Sequence, residues 1–78
     1  MFLIEYYHLG IRGEPAFLEK VQRVRIRGVA ESFARTWVLQ NYMSRSVVRR
    51  ARDMKPVYVI GHKLINGHVR LQEVGYLK

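Results

Sequence analysis

Arg23, Arg25 and Arg27 occupy alternate positions in a run of branched apolar residues, and Arg45, Arg49, Arg50, Arg52 and Lys55 crowd into one short stretch further on. A guanidinium presents a planar fork of donors that fits a phosphate, whereas an ammonium is a point charge. Ten arginines beside four lysines therefore equip the chain for phosphate recognition. Six carboxylates oppose these cations and leave a formal net charge of +8. A field of that sign draws polyanions toward the surface.

Other chemistry finds fewer parts. The chain has no cysteine, so a thiolate nucleophile, a disulfide framework and a thiolate zinc site are all excluded, and an intracellular setting is the simpler reading. The serines lack a nucleophile-elbow context, the carboxylates are scattered, and Gly10 and Gly13 do not sit in the strand-turn-helix setting of a phosphate-binding loop. His8 has no partner at a metal-ligand spacing. The expectation is a nonenzymatic binding protein without metal, cofactor or small-molecule substrate.

These side chains need a scaffold, and 78 residues supply one small domain, 1–78. Chains at this limit bury roughly 60% of their surface, so a large partner has stability to add. Apolar residues make up 49% of the chain, too many for a disordered basic tail. No run of apolar residues is long enough to span a membrane, and the opening Met-Phe-Leu-Ile meets Glu5 too early for a signal sequence. A soluble cytoplasmic protein is expected.

Aromatic and branched residues from Phe2 to Leu9 read as a strand, punctuated by Gly10, Gly13 and Pro15. From Leu18 to Val29 the alternation reads as a second strand, with Val24 and Ile26 toward a core and Arg23, Arg25 and Arg27 toward anions. Ala30, Phe33, Ala34, Trp37, Val38 and Tyr42 then recur at helical spacing, with Gly28 or Ser32 as the cap and Glu31 and Arg35 as an exposed pair. Basic residues beyond Met43 suit the negative end of that helix.

Residues 44–55 admit a short helix or a loose segment, and the reading favours an arginine-rich loop with some helical character. Asn66-Gly67 between two apolar runs, Val57 to Ile65 and His68 to Leu77, predicts a two-residue hairpin turn. Its register would set Ile65 against His68, Leu64 against Val69, Lys63 against Arg70 and His62 against Leu71. Tyr58, Ile60, Leu64, Val69 and Leu71 would then share the face beneath the helix, with His62 and His68 on opposite faces. Lys63 and Arg70 either splay into water or share an anion. Tyr6 and Tyr7 point opposite ways, so one of them can face an RNA base as a stacking platform, while Trp37 and Tyr42 suit the core. The fold class is α+β: an antiparallel sheet of about four strands on one main helix, in the order strand, strand, helix, basic loop, hairpin.

Several segments together resemble the first half of a large-subunit ribosomal protein family, called eighteen-A in the older cytosolic naming and eukaryotic twenty in the newer. They are Glu5-Tyr6-Tyr7 followed by Gly10, and Arg23-Val24-Arg25-Ile26 entering a helix with Phe33, Trp37 and Tyr42. A basic loop, Val57-Tyr58-Val59-Ile60-Gly61 and the closing Val74-Gly75-Tyr76-Leu77 complete them. The resemblance covers nearly all of this chain and about half of a typical eukaryotic member, whose second, similarly built half has no counterpart here. It implies a nonenzymatic component of the 60S-type subunit that binds ribosomal RNA and touches neighbouring ribosomal proteins. Arg23, Arg25, Arg27, Arg45, Arg49, Arg50, Arg52, Lys55, Lys63 and Arg70 would then clamp phosphates by shape and charge. Two other classes use the same residues: a small basic inhibitor or adaptor, viral in some settings, that binds an acidic protein surface, and an RNA-processing enzyme that needs His8, His62 or His68 beside a phosphate.

Overall fold

Alternation along Phe2–His8 (β1) sets the geometry of the whole sheet: Phe2, Ile4 and Tyr6 face one way, Leu3, Glu5 and Tyr7 the other. The computed structural model describes residues 1–11 and 13–76. Beside β1 lie Phe17–Val24 (β2) and Ser44–Arg50 (β3); Pro56–Ile65 (β4) and His68–Gly75 (β5) extend the sheet in the order β2-β1-β3-β4-β5. Every neighbouring pair is antiparallel. One helix, Arg27–Gln40 (α1), packs on the Ile4 face. The class is α+β, with five strands where about four were expected.

The extra strand is the segment read as a basic loop. In β3 the residues alternate after all, with Ser44, Ser46 and Val48 turned toward α1 and Arg45, Val47 and Arg49 toward the other face. Serine at two core positions disguised the pattern. Both serines are fully buried, and with Ala30 and Ala34 on the helix they keep the layer between helix and sheet thin.

A second difference concerns the alternating arginines. β2 ends at Val24, Arg25 lies in a bend, and Arg27 already begins α1, so the three do not share a strand face. Ile26 is the helix cap and is 64% exposed rather than part of the core. Neither Gly28 nor Ser32 caps the helix. At the other end Asn41 donates from Nδ2 to the Trp37 carbonyl at 2.7 Å, and the Ser44 hydroxyl donates to the Asn41 carbonyl at 2.5 Å. Neutral side chains thus satisfy carbonyls that cations were expected to meet, and no basic residue lies in the last turn.

The core joins Ile4, Tyr6, Val48, Val57, Tyr58 and Ile60 to Ala30, Ala34 and Val38 of the helix. Burying an aliphatic side chain of this kind stabilises by about 1.5–3 kcal/mol, so the handful of such residues carries most of the fold. Trp37 flanks that core half-buried, its ring 4.9 Å from Tyr6 and 5.2 Å from His8. Tyr42 lies beyond the helix and is exposed, and Phe33 is exposed on the flank of α1 that faces the edge strand β2.

The hairpin keeps its expected register in full, Lys63 against Arg70 included. Asn66 and Gly67 supply φ values of 50° and 79°, the positive angles that a two-residue turn of this twist requires. Tyr58 and Ile60 pack beneath the helix as anticipated, but Leu64 and Leu71 are exposed because the hairpin reaches past the end of α1. The end of the last strand at Leu77 lies outside the described residues.

Glu31 pairs with Arg27 rather than Arg35, which instead reaches Glu73 on β5 at 2.7 Å. Glu73 also accepts a hydrogen bond from the Tyr58 hydroxyl, and the Arg35 guanidinium stands 5.9 Å from the Tyr58 ring centre. Burial, then the bond to Glu73, pushes the Tyr58 hydroxyl up to about 12, while that bond and Arg35 hold the Glu73 carboxyl below its ordinary value. Unfolded, Tyr58 loses its proton near 10; folded, it keeps it to about 12. Its contribution is therefore complete below pH 10 and is lost as pH rises through about 12. Denaturant titrations should show stability falling across that interval, and Tyr58→Phe should flatten the decline.

Candidate nucleic-acid interface

Opposite α1, the second face of the sheet has no element packed on it among the described residues. Cross-strand partners share a face, so the register assembles it directly: Arg23 beside Leu3 and Arg49; Leu18, Tyr7, Arg45, Gly61 and Gln72 across the middle; and Lys63 beside Arg70 on the hairpin. Glu5 is the one carboxylate on this face among the described residues. It already accepts from Arg49 Nε at 2.7 Å and from the Tyr7 hydroxyl at 3.0 Å.

Gly61 explains how Arg45 lies there. A Cβ at this position would stand 2.9 Å from Arg45 Cγ and 3.0 Å from its Cβ, so the arginine stem crosses the space that a side chain would fill. Beside it lies a shallow cavity of about 290 Å³, bordered by Arg45, Val59, Gly61, Lys63, Gln72 and Val74. Arg45, Lys63 and Arg70 find no carboxylate within salt-bridge distance among the described residues. Lys63 directly opposite Arg70 opposes like charges, which destabilises a strand pair by a few tenths to about one kcal/mol.

The ten cations read from the sequence divide into groups. Arg27 donates to Glu31 at 2.7 Å and to the carbonyls of Val57 and Tyr76 at 3.0 and 2.8 Å. Arg49 is held by Glu5 and by the Met54 carbonyl. Arg50 forks onto both oxygens of Asp53 at 3.1 and 2.7 Å, and that fork holds the Asp53 carboxyl down at about 2. These three guanidiniums brace the fold and are engaged by the chain's own acceptors.

Seven cations remain without a carboxylate partner among the described residues, at two ends of the sheet. Arg45, Lys63 and Arg70 gather at the hairpin end of the open face. Arg23, Arg25, Arg52 and Lys55 lie toward the other end, where β2 finishes and β3 turns into β4. All seven are exposed.

Tyr7, rather than Tyr6, is the tyrosine of the open face, since Tyr6 is 2% exposed and bonds Gln22 at 2.5 Å. Gly61, Gln72 and Val59 joined no candidate site in the sequence reading. Continuing the hairpin register one pair past His62 and Leu71 sets Gly61 opposite Gln72, but Arg45 comes to them only through β3. The histidines stand apart: His8 contacts Glu19, Phe17 and Trp37; His62 Nδ1 accepts from the Ser44 backbone N–H at 3.1 Å; His68 opposes Ile65 near the turn. No three metal-ligating side chains come together among the described residues. No helix among the described residues is long and apolar enough to cross a membrane.

No protein-family model, curated protein or solved structure matches the chain.

Proposed function

We propose that this chain is a nonenzymatic RNA-binding module that lays the phosphate backbone of ribosomal RNA across the open face of its sheet. The observation that carries the reading is the Lys63–Arg70 opposition beside Arg45, on a face whose one described carboxylate is already engaged. Bound phosphates turn that repulsion into attraction and release counterions, which makes affinity steeply dependent on salt. The cavity over Gly61 gives a phosphate room to reach the Arg45 fork, and Tyr7 offers a ring beside it for an unstacked base. The helix serves as the back of the platform. Its contribution is to fix β1, β3 and β4, so Arg45, Lys63 and Arg70 are presented on strands rather than on a loop.

Two features favour RNA over an acidic protein surface for this face. The cations are mostly arginine, and they stand on strands at the hairpin end and on β2 and the adjoining bend and turn at the other end of an uncovered sheet, a footprint that follows a long polyanion. The large ribosomal subunit as the home of that RNA, with neighbouring ribosomal proteins as further contacts, rests on the resemblance of the Glu5-Tyr6-Tyr7, Arg23-Val24-Arg25-Ile26 and Val57-to-Gly61 segments. The two parts are tested separately. Fluorescence anisotropy with a ribosomal RNA fragment should give an affinity whose logarithm falls with the logarithm of salt at a slope of about −2 or steeper, the value for three neutralised phosphates on a single strand. A flat salt dependence would remove RNA binding; failure to sediment with the large subunit from nuclease-free lysate would remove the ribosomal assignment alone.

A further inference from the structure

The trough between β2 and α1 lies on the opposite side of the sheet. β2 is an edge strand, so half of its backbone N–H and C=O groups point outward with no strand to receive them. Alongside it, α1 packs mainly over β1, β3 and β4 and leaves a groove of about 410 Å³ lined by Tyr6, Gln22, Phe33, Thr36 and Trp37. Phe33 is 45% exposed on this flank, although it sits in the middle of the helix. No carboxylate among the described residues lines the groove. Along the same edge strand Lys20 lies on the groove side, Arg23 on the opposite face and Arg25 in the bend that follows, all without a carboxylate partner among the described residues, while Glu19, the one acid of β2, is taken by His8.

We propose that this trough binds an extended acidic segment of a partner protein, added as a sixth strand along β2, with one apolar side chain seated against Phe33 and Trp37. An unpaired strand edge next to an aromatic groove is the geometry of strand addition: the ladder supplies affinity, and the groove reads every second side chain. A nucleic acid has no alternating N–H and C=O groups to extend the ladder. A second copy of this chain would bring the same Lys20, Arg23 and Arg25 to the place where those cations already stand. The register shift between Tyr6 and Tyr7 limits regular pairing to residues 20–24, so a short segment suffices.

Trp37 is the single tryptophan, so its emission reports on the groove without interference. Titrating the full chain with a synthetic peptide of alternating glutamate and valine around one phenylalanine should shift that emission saturably and slow amide exchange at residues 20–24 by about tenfold or more. Phe33→Ala, at an exposed position that leaves the core intact, should weaken binding about tenfold. Arg45→Ser, on the other face, should leave it unchanged. The proposal is overturned if the glutamine version of the peptide binds equally well, if Phe33→Ala has no effect, or if oligouridine produces the same Trp37 shift. Slow exchange at residues 20–24 in the free protein that appears only at high concentration would assign the edge to self-pairing instead.

Discussion

Replacing Arg45, Lys63 and Arg70 together with serine is expected to weaken RNA binding about a hundredfold in about 0.1 M salt while leaving the fold intact. Each phosphate contact adds roughly 0.7 to the salt slope on a single strand, so three account for roughly 2, which is about a hundredfold between about 1 M and 0.1 M salt. The loss should vanish at the higher concentration. All three side chains are exposed and lack an ion-pair partner among the described residues, so their removal costs the fold no ion pair, only the packing of the Arg45 stem over Gly61. Relief of the Lys63–Arg70 opposition should even raise the denaturation midpoint slightly. Anisotropy titrations at several salt concentrations, with urea unfolding of the same variant, read both effects. An unchanged slope would mean that these cations face water rather than phosphate.

Arg27→Ala should behave in the reverse way. Its guanidinium ties the start of α1 to Glu31, to the Val57 carbonyl of β4 and to the Tyr76 carbonyl after β5, so truncation frees three acceptors at once. Hydrogen bonds to charged groups contribute about 1.5–3 kcal/mol each when shielded, but this side chain is 37% exposed, and water replaces part of what is lost. A net cost of about 2 kcal/mol is expected, a large share of the stability of so small a domain. Urea unfolding should record that loss while the salt slope for RNA stays at the parent value. A reduced slope with unchanged stability would return Arg27 to the RNA-binding group.

The contrast between these variants marks where sequence reading succeeds. Asn66-Gly67 dictates positive backbone angles locally, so the hairpin and its pairs were legible without any knowledge of the rest of the chain. The opposed faces of Tyr6 and Tyr7 follow from strand parity alone. β3 was hidden because its core-facing positions carry Ser44 and Ser46, which resemble loop residues until a helix with Ala30 and Ala34 is found above them. The end of β2 was hidden for a different reason: the alternation of Val24 and Ile26 continues beyond the residue at which the chain leaves the sheet.

Charge was read correctly in sum but not in place. Glu5 and Arg49 are 44 residues apart, and only the pairing of β1 with β3 brings them to 2.7 Å. The pairing of β3 with β4 likewise sets Arg45 beside Gly61. Which arginines serve the scaffold and which face outward is therefore a property of topology, since composition and spacing give every guanidinium the same meaning.

The most direct test of the open face is an amide chemical-shift map of the labelled protein titrated with a ribosomal RNA fragment. The largest changes should fall on Tyr7, Arg45, Gly61, Lys63, Arg70 and Gln72 and should disappear at about 1 M salt. Changes confined to α1, or an absence of change on β3, β4 and β5, would contradict the account.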